Sequence, residues 1–113
     1  MSQLTTHILD TSAGKPASGV KIRLEKFDAL NSWTALAEGI TNSDGRVADL
    51  LEPGKILEAG NYKLIFDTAG YFEKQKLKCF YPSVEIIFQI SDASHYHVPL
   101  LLNPFGYSTY RGS

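Results

Sequence analysis

Residues 20–27, with the sequence Val-Lys-Ile-Arg-Leu-Glu-Lys-Phe, alternate apolar and charged side chains. In an extended chain, Val20, Ile22 and Leu24 fall on one face and the charged residues between them fall on the other. This period of two residues is typical of a β-strand that packs one face on a core and exposes the other to water. This stretch is therefore the clearest strand of the chain, and it predicts a β-protein.

Short segments of the same character recur along the chain, separated by turn-forming residues. They predict seven further strands, at residues 4–9, 33–40, 46–50, 62–67, 84–90, 96–102 and 107–111. The only helix candidate is residues 69–77, which Gly70 weakens. Short strands at regular spacing predict an all-β sandwich.

Two local features refine this prediction. The segment 42–45, Asn-Ser-Asp-Gly, predicts a tight turn, because Asp-Gly readily supplies the positive φ that hairpins need. Pro99 lies inside the predicted seventh strand and has no N–H to donate, so we expect this strand to be bulged or unpaired on one side there.

Length and composition limit the possible functions. The chain has 113 residues, which fits a single domain over residues 1–113. Its net charge of -1, from 11 basic and 12 acidic residues without a basic run, argues against nucleic-acid binding. No apolar stretch approaches the roughly 20 residues of a membrane span. The N-terminal residues do not resemble a signal peptide and the lone Cys79 cannot form an intrachain disulfide, so we expect a cytoplasmic protein.

Strand edges suggest self-association. Eight strands in two sheets leave four edges, and a β-rich final strand at an edge must be protected or must pair. Pairing between two copies would give a two-fold dimer. We therefore expect an oligomer.

Three histidines and two arginines are the candidates for chemistry. His95 and His97 share one face of a strand, and His7 lies on the first strand, which can neighbour the seventh in a sandwich. The histidines fit three interpretations: ordinary polar residues, a zinc site with an open position, or metal-free acid–base catalysis. Arg46 and Arg111 are either solvated cations or fixed partners of an anionic, planar ligand.

Four segments of the chain resemble one known family. They are residues 6–10 (THILD), 43–46 (SDGR), 95–102 (HYHVPLLL) and the C-terminal 110–113 (YRGS). In these segments the chain resembles the transthyretin-related 5-hydroxyisourate hydrolase family, and the resemblance spans essentially the whole sequence. The terminal tetrapeptide is its most specific part because of its position.

The resemblance implies a transthyretin-like β-sandwich of two four-stranded sheets with one short helix. It also implies a homotetramer, a dimer of dimers, with active sites in the groove where the dimers meet. The implied reaction is hydrolysis of a cyclic amide bond of the small-molecule substrate 5-hydroxyisourate, without a metal or cofactor. It gives 2-oxo-4-hydroxy-4-carboxy-5-ureidoimidazoline.

The same resemblance implies roles for individual residues. The positions that it implies to be catalytic are His7, Arg46, His97 and Ser113. From their chemistry we expect His7 and His97 to hold and deprotonate the attacking water, Arg46 to bind the substrate oxygens, and Ser113 to orient water or substrate. The remaining tail residues shape the site: Tyr110, Arg111 and Gly112. His95 has no catalytic role in the family.

Other classes of protein make different predictions. A transthyretin-like carrier of a small ligand needs an apolar channel, a structural or carbohydrate-binding sandwich needs no ordered tail, and a zinc hydrolase needs all three histidines. In this chain, the polar side chains at residues 7, 46 and 97 favour a hydrolase over a carrier.

Overall fold

A computed structural model describes residues 2–113. It contains strands β1 (Leu4–Asp10), β2 (Lys15–Pro16), β3 (Lys21–Phe27), β4 (Trp33–Ile40), β5 (Gly60–Phe66), β6 (Val84–Ile90), β7 (Tyr96–Asn103) and β8 (Gly106–Thr109), and helix α1 (Thr68–Glu73) between β5 and β6. The strands form two four-stranded sheets. The predicted all-β sandwich with one short helix is confirmed.

The first sheet has the order β2-β1-β7-β8, and the second has the order β4-β3-β5-β6. Strands β1 and β7 are parallel, whereas every other pair is antiparallel. The parallel pair joins opposite ends of the sequence, since Leu4 lies beside Tyr96 and Asp10 beside Leu102. Strands near the two termini thus form the middle of one sheet.

The apolar faces of the two sheets meet in one core. The predicted alternation holds in β3, where Ile22 and Leu24 are buried beside exposed Lys21 and Arg23. The largest fully buried side chains are those of Tyr62, Phe66 and Phe72. Strand β1 follows the same pattern, so alternate residues, including His7, lie on the outer face of the first sheet.

The predicted strand at residues 46–50 is wrong. Only Arg46 pairs, through a single bridge to His7, and the chain then turns so that Leu50 and Leu51 enter the core. Further along β1, β2 occupies this edge at Leu9 and Asp10. The structure still has eight strands, because β2 forms in the turn-rich segment between the predicted strands at 4–9 and 20–27.

The helix is shorter than the predicted 69–77. Asp67 caps its start, with the side chain accepting a hydrogen bond from the Gly70 N–H at 3.0 Å. The helix ends at Glu73, and Lys76 takes a left-handed conformation with φ of 58°. The Leu77 N–H then bonds back to the carbonyl of Phe72 at 3.1 Å, which closes the helix end.

Candidate functional site

The parallel pairing of β1 and β7 brings His7 and His97 to one face. Thr5 lies opposite His97, and His7, two residues further along β1, lies opposite Pro99. Residues that lie opposite each other project from the same side of a sheet, so Thr5, His7 and His97 share the outer face of the first sheet. Both histidines are partly exposed, between buried residues that face the core.

A tight turn brings Arg46 against strand β1, beside His7. The Asn42 side-chain oxygen accepts hydrogen bonds from the backbone N–H groups of Asp44 and Arg46, and Gly45 has a φ of 75°. The carbonyl of Gly45 then accepts the Ile8 N–H at 2.9 Å. This bond and the Arg46–His7 bridge fix the backbone of Arg46 beside His7.

Gly45 is required by this approach as well as by its φ. A Cβ at residue 45 would strike the Ile8 carbonyl and lie 3.3 Å from the His7 ring. The backbone of the turn can therefore lie against β1 only without a side chain there. None of the ion pairs among the described residues involves Arg46, and the side chain is exposed. Its guanidinium is available to a ligand.

The C-terminal tail completes the arrangement on the other side of His97. Strand β8 pairs with β7 as far as Thr109 and Leu100, and the ladder stops at Pro99. The tail then rejoins β7 in the same register, where the Gly112 N–H bonds to the His97 carbonyl at 2.8 Å. The prediction that Pro99 leaves its strand unpaired on one side is confirmed.

Gly112 contacts the His97 ring closely. A Cβ at residue 112 would lie 2.6 Å from Cδ2 of His97, so the tail backbone packs against that ring edge. Any side chain at this position would have to displace the imidazole. The tail therefore contributes to the position of His97.

The opposite edge of the His97 ring is held by Thr5. The Thr5 hydroxyl lies 2.8 Å from Nδ1 of His97 and 2.9 Å from Nε2 of His95. The His95 and His97 rings are stacked, with their centroids 6.3 Å apart. One hydroxyl thus joins the two imidazoles that the sequence placed on the same face.

The surroundings of His97 keep its ring neutral. Partial burial, the nearby Arg46 cation and the His95 and His7 side chains lower the pKa of His97 below its usual 6.5, against a smaller opposing effect of Thr5. At neutral pH the ring is therefore unprotonated and can accept a proton.

The other tail residues, Tyr110, Arg111 and Ser113, have different surroundings. The Arg111 guanidinium stacks 4.2 Å from the Tyr96 ring centroid and donates to the His95 carbonyl at 3.3 Å and to Ser94 Oγ at 3.4 Å. Arg111 therefore ties the tail to the segment before β7. Tyr110 and Arg111 also line a groove of about 260 Å³ at the edge of the sandwich, and Ser113 is exposed beyond Gly112.

The structure thus pairs His7 directly with Arg46 and His97 directly with Gly112, and it places the two histidines on adjacent strands of one sheet, two positions apart. Across residues 2–113, no group of three His, Cys, Asp or Glu side chains is arranged to hold a metal ion.

The only helix in that range has six residues, and no helix there is long and apolar enough to cross a membrane.

Sequence reasoning missed Thr5 and Gly45. Thr5 shares the predicted outer face with His7, so strand alternation was the signal that could have indicated it. Gly45 was interpreted only as a turn residue. Its close approach to β1 depends on a pairing between distant segments, which local sequence does not reveal.

Comparison with known proteins gives a consistent assignment. The model of the HIUase/Transthyretin family matches residues 4–112. The 5-hydroxyisourate hydrolase of Mus musculus is 47% identical over 99% of this chain and 96% of its own length. That of Salmonella dublin is 50% identical over 97% of this chain and 80% of its own length.

Solved structures agree on the fold. The 5-hydroxyisourate hydrolase of Klebsiella pneumoniae has a TM-score of 0.86 at 39% identity, covering 99% of this chain and all 100% of its own. Sea bream transthyretin in complex with thyroxine has a TM-score of 0.92 at 32% identity, covering 98% of this chain and 95% of the transthyretin chain. The backbone is thus closer to the transthyretin, while the sequence is closer to the hydrolases. With the family model covering nearly its full length, the chain belongs to the HIUase/transthyretin family.

Proposed function

We propose that the protein hydrolyses 5-hydroxyisourate to 2-oxo-4-hydroxy-4-carboxy-5-ureidoimidazoline. The observation that carries the proposal is the pairing of β1, β7 and the Arg46 turn, which gathers two imidazoles and an unpaired guanidinium on one face. A neutral imidazole beside a fixed cation suits attack of water on a carbonyl group. The hydrolase names of its relatives support the same substrate.

The reaction follows from these groups. One imidazole accepts a proton from water as the water oxygen bonds to the ring carbonyl carbon, and the electron pair moves onto the carbonyl oxygen. The Arg46 guanidinium stabilises this oxyanion. The electron pair of the oxyanion then re-forms the carbonyl as the C–N bond breaks, and the other imidazole, which enters the cycle protonated, gives its proton to the leaving nitrogen. The two imidazoles exchange protons with solvent before the next cycle.

The tail has a supporting part in this proposal. Gly112 backs the His97 ring, Arg111 ties the tail to the segment before β7, and Tyr110 shapes the site beside them. Ser113 follows directly and orients water or substrate. No step requires a metal or a cofactor.

The proposed assembly is a homotetramer built as a dimer of dimers, in the cytoplasm. Strands β6 and β8 are edge strands, and exposed apolar side chains lie on or beside them, including Ile87, Phe80 and Tyr107. Such edges favour pairing between copies. Native mass spectrometry should give a species of four chains, each of 12.5 kDa. A monomer at micromolar concentration would contradict this assembly.

A carrier of a small aromatic ligand is the second candidate, and one observation favours it. The backbone matches thyroxine-bound sea bream transthyretin more closely than it matches the hydrolase structure. The polarity of His7, Arg46 and His97 argues against it, because a site for an apolar ligand is lined mainly by apolar side chains.

One experiment separates the two. Urate is oxidised enzymatically, the protein is added, and the ultraviolet decay of 5-hydroxyisourate is followed against the spontaneous background. Hydrolysis predicts a decay rate proportional to protein concentration, and it predicts loss of that rate in His7→Ala and His97→Ala. A decay rate independent of the protein, together with tight thyroxine binding by calorimetry, would overturn the hydrolase in favour of the carrier.

A further inference from the structure

Thr5 occupies an unusual position between two imidazoles. Its Oγ1 lies within hydrogen-bond distance of both His97 Nδ1 and His95 Nε2, at 2.8 and 2.9 Å. A hydroxyl has one proton to donate, so it can donate to only one of the two rings. It must accept from the other ring for both bonds to exist. The protonation of one ring nitrogen therefore fixes that of the other.

Only two arrangements of neutral rings satisfy both contacts. In the first, His97 Nδ1–H donates to Thr5 and Thr5 donates to His95 Nε2, which leaves a lone pair on His97 Nε2. In the second, His95 Nε2–H donates to Thr5 and Thr5 donates to His97 Nδ1, which puts the proton of His97 on Nε2. The first makes His97 a base at Nε2, and the second makes it a donor there.

The rest of the His97 ring leaves Nε2 as the reactive atom. Nδ1 is engaged by Thr5, and Cδ2 is covered by the backbone of Gly112. Nε2 is therefore the ring nitrogen that Thr5 does not engage. Arg46, His95 and His7 are the charged or titratable groups that influence His97, and Arg46 in particular disfavours a positive charge there. These surroundings suit a neutral ring that accepts a proton, rather than a cationic acid.

We propose that Thr5 and His95 are positioning residues, which hold His97 in the tautomer with its proton on Nδ1 and its lone pair on Nε2. The hydrogen bonds run from His97 Nδ1–H to Thr5 Oγ1, and from the Thr5 hydroxyl to His95 Nε2. This inference rests on the proposed hydrolysis. In that reaction, the tautomer makes His97 the base that takes the proton of water, and His7 is left to protonate the leaving nitrogen. It also gives His95 a role that the resemblance does not assign.

The direct test is the tautomeric state of His97 in the full-length protein. Two-dimensional ¹H–¹⁵N spectra of the imidazoles at neutral pH, without substrate, distinguish a protonated Nδ1 from a protonated Nε2. We expect His97 with a protonated Nδ1 and His95 with an unprotonated Nε2. A His97 ring with its proton on Nε2 would overturn the proposal, whatever the activity.

Variants of Thr5 test the same bonds by function. Thr5→Val keeps the shape and removes the hydroxyl, whereas Thr5→Ser retains it as the matched control. We expect Thr5→Val to lower kcat about tenfold, the value of one hydrogen bond, with little change in KM, and Thr5→Ser to restore the rate. The NMR spectrum of Thr5→Val should lose the single Nδ1–H state of His97. Wild-type kcat in folded Thr5→Val would overturn the proposal.

His95 provides the second arm. His95→Gln can accept the Thr5 proton through its amide oxygen, whereas His95→Leu cannot, and we expect only the leucine variant to lower kcat. Equal kcat in both variants would contradict the proposal. An inactive wild-type protein whose His97 carries its proton on Nδ1 would overturn the hydrolase function and leave the hydrogen-bond arrangement standing.

Discussion

The site residues are held in two different ways. His7 and His97 belong to adjacent strands that pair over seven positions in the middle of a sheet. Arg46 and Gly112 each meet that sheet through an isolated bridge, one from a turn and one from the tail. The first pair is part of the sandwich itself, whereas the second pair is attached to its surface.

Because of this difference, we expect the stability of the fold and the activity of the site to depend on different residues. The flanks of His7 and His97 are buried core residues such as Ile8 and Val98, so the position of the imidazoles is fixed by packing. Most side chains of the turn and the tail are exposed, and each segment pairs with the sheet at one bridge. Changes there should alter the chemistry with a small effect on folding, while changes to the core side of β1 should do the reverse.

The largest effect is expected from His97→Ala. Loss of the base should lower kcat by about 10²–10⁴-fold, because that is the usual contribution of a general base. Initial rates of 5-hydroxyisourate decay measure it. Ile8→Val, on the core side of the neighbouring strand, is the matched control and should lower the free energy of unfolding by about 0.5–1.5 kcal/mol without lowering kcat. If the control variant lost activity as His97→Ala does, the contrast between the two faces would not hold.

Arg46→Gln should follow, with kcat lower by about 10²–10³-fold, since removal of one donor to an oxyanion costs this much. The side chain is exposed and makes no ion pair within residues 2–113, so the free energy of unfolding should change by less than about 0.5 kcal/mol. Chemical denaturation gives the stability and the decay assay gives the rate. A large loss of stability would show that the turn is part of the folded framework instead.

Gly112→Ala tests the tail with a smaller change. The added Cβ would press on Cδ2 of His97, and a displaced base should lower kcat by about tenfold, within the range known for misplaced catalytic groups. Gly106→Ala in the same terminal segment is the control, because its Cβ would meet nothing closer than 3.7 Å. Equal rates for the two variants would mean that Gly112 does not position His97.

The smallest effect concerns pH. Because the pKa of His97 is lowered by partial burial and by Arg46, its neutral form persists below pH 6.5, and kcat/KM should fall only at more acidic pH. The unfolded chain binds the proton more readily, so the folded state also loses stability as pH falls below 6.5. Arg46→Gln should raise the pKa of His97, measured by NMR titration of its Cε1–H. An unchanged or lower pKa would contradict the proximity of the two groups.

Much of the fold could be predicted from the sequence, because strand alternation is a local signal. Strand β3 and the outward position of His7 follow from the period of two residues alone. The predicted strand at 46–50 failed because its alternation resembles a strand, whereas β2 already occupies part of the β1 edge that Arg46 meets and the chain turns toward the core after Arg46. Local pattern does not tell which edges are already occupied.

The site divides in the same way. The family resemblance selected His7, Arg46, His97 and Ser113. The structure pairs His7 with Arg46 and places His97 on the adjacent strand, whereas Ser113 is exposed at the end of the tail. The link from Thr5 to both imidazoles required the register of β1 against β7, which no short-range pattern encodes. Arg111 was expected to shape the site, and its contacts with the segment before β7 depend on the path of the tail around Pro99.

The parallel pairing of β1 with β7 also has a consequence for the order of folding. Strand β1 is synthesised first, but its central partner follows about 90 residues later in the chain, as the bonds between Thr5 and His97 illustrate. Contacts of such long sequence separation form slowly, since a large loop must close first. The second sheet, built from neighbouring antiparallel strands, can assemble earlier. His7 and His97 therefore come together late in folding, and a chain that still lacks β7 holds His7 without His97 beside it.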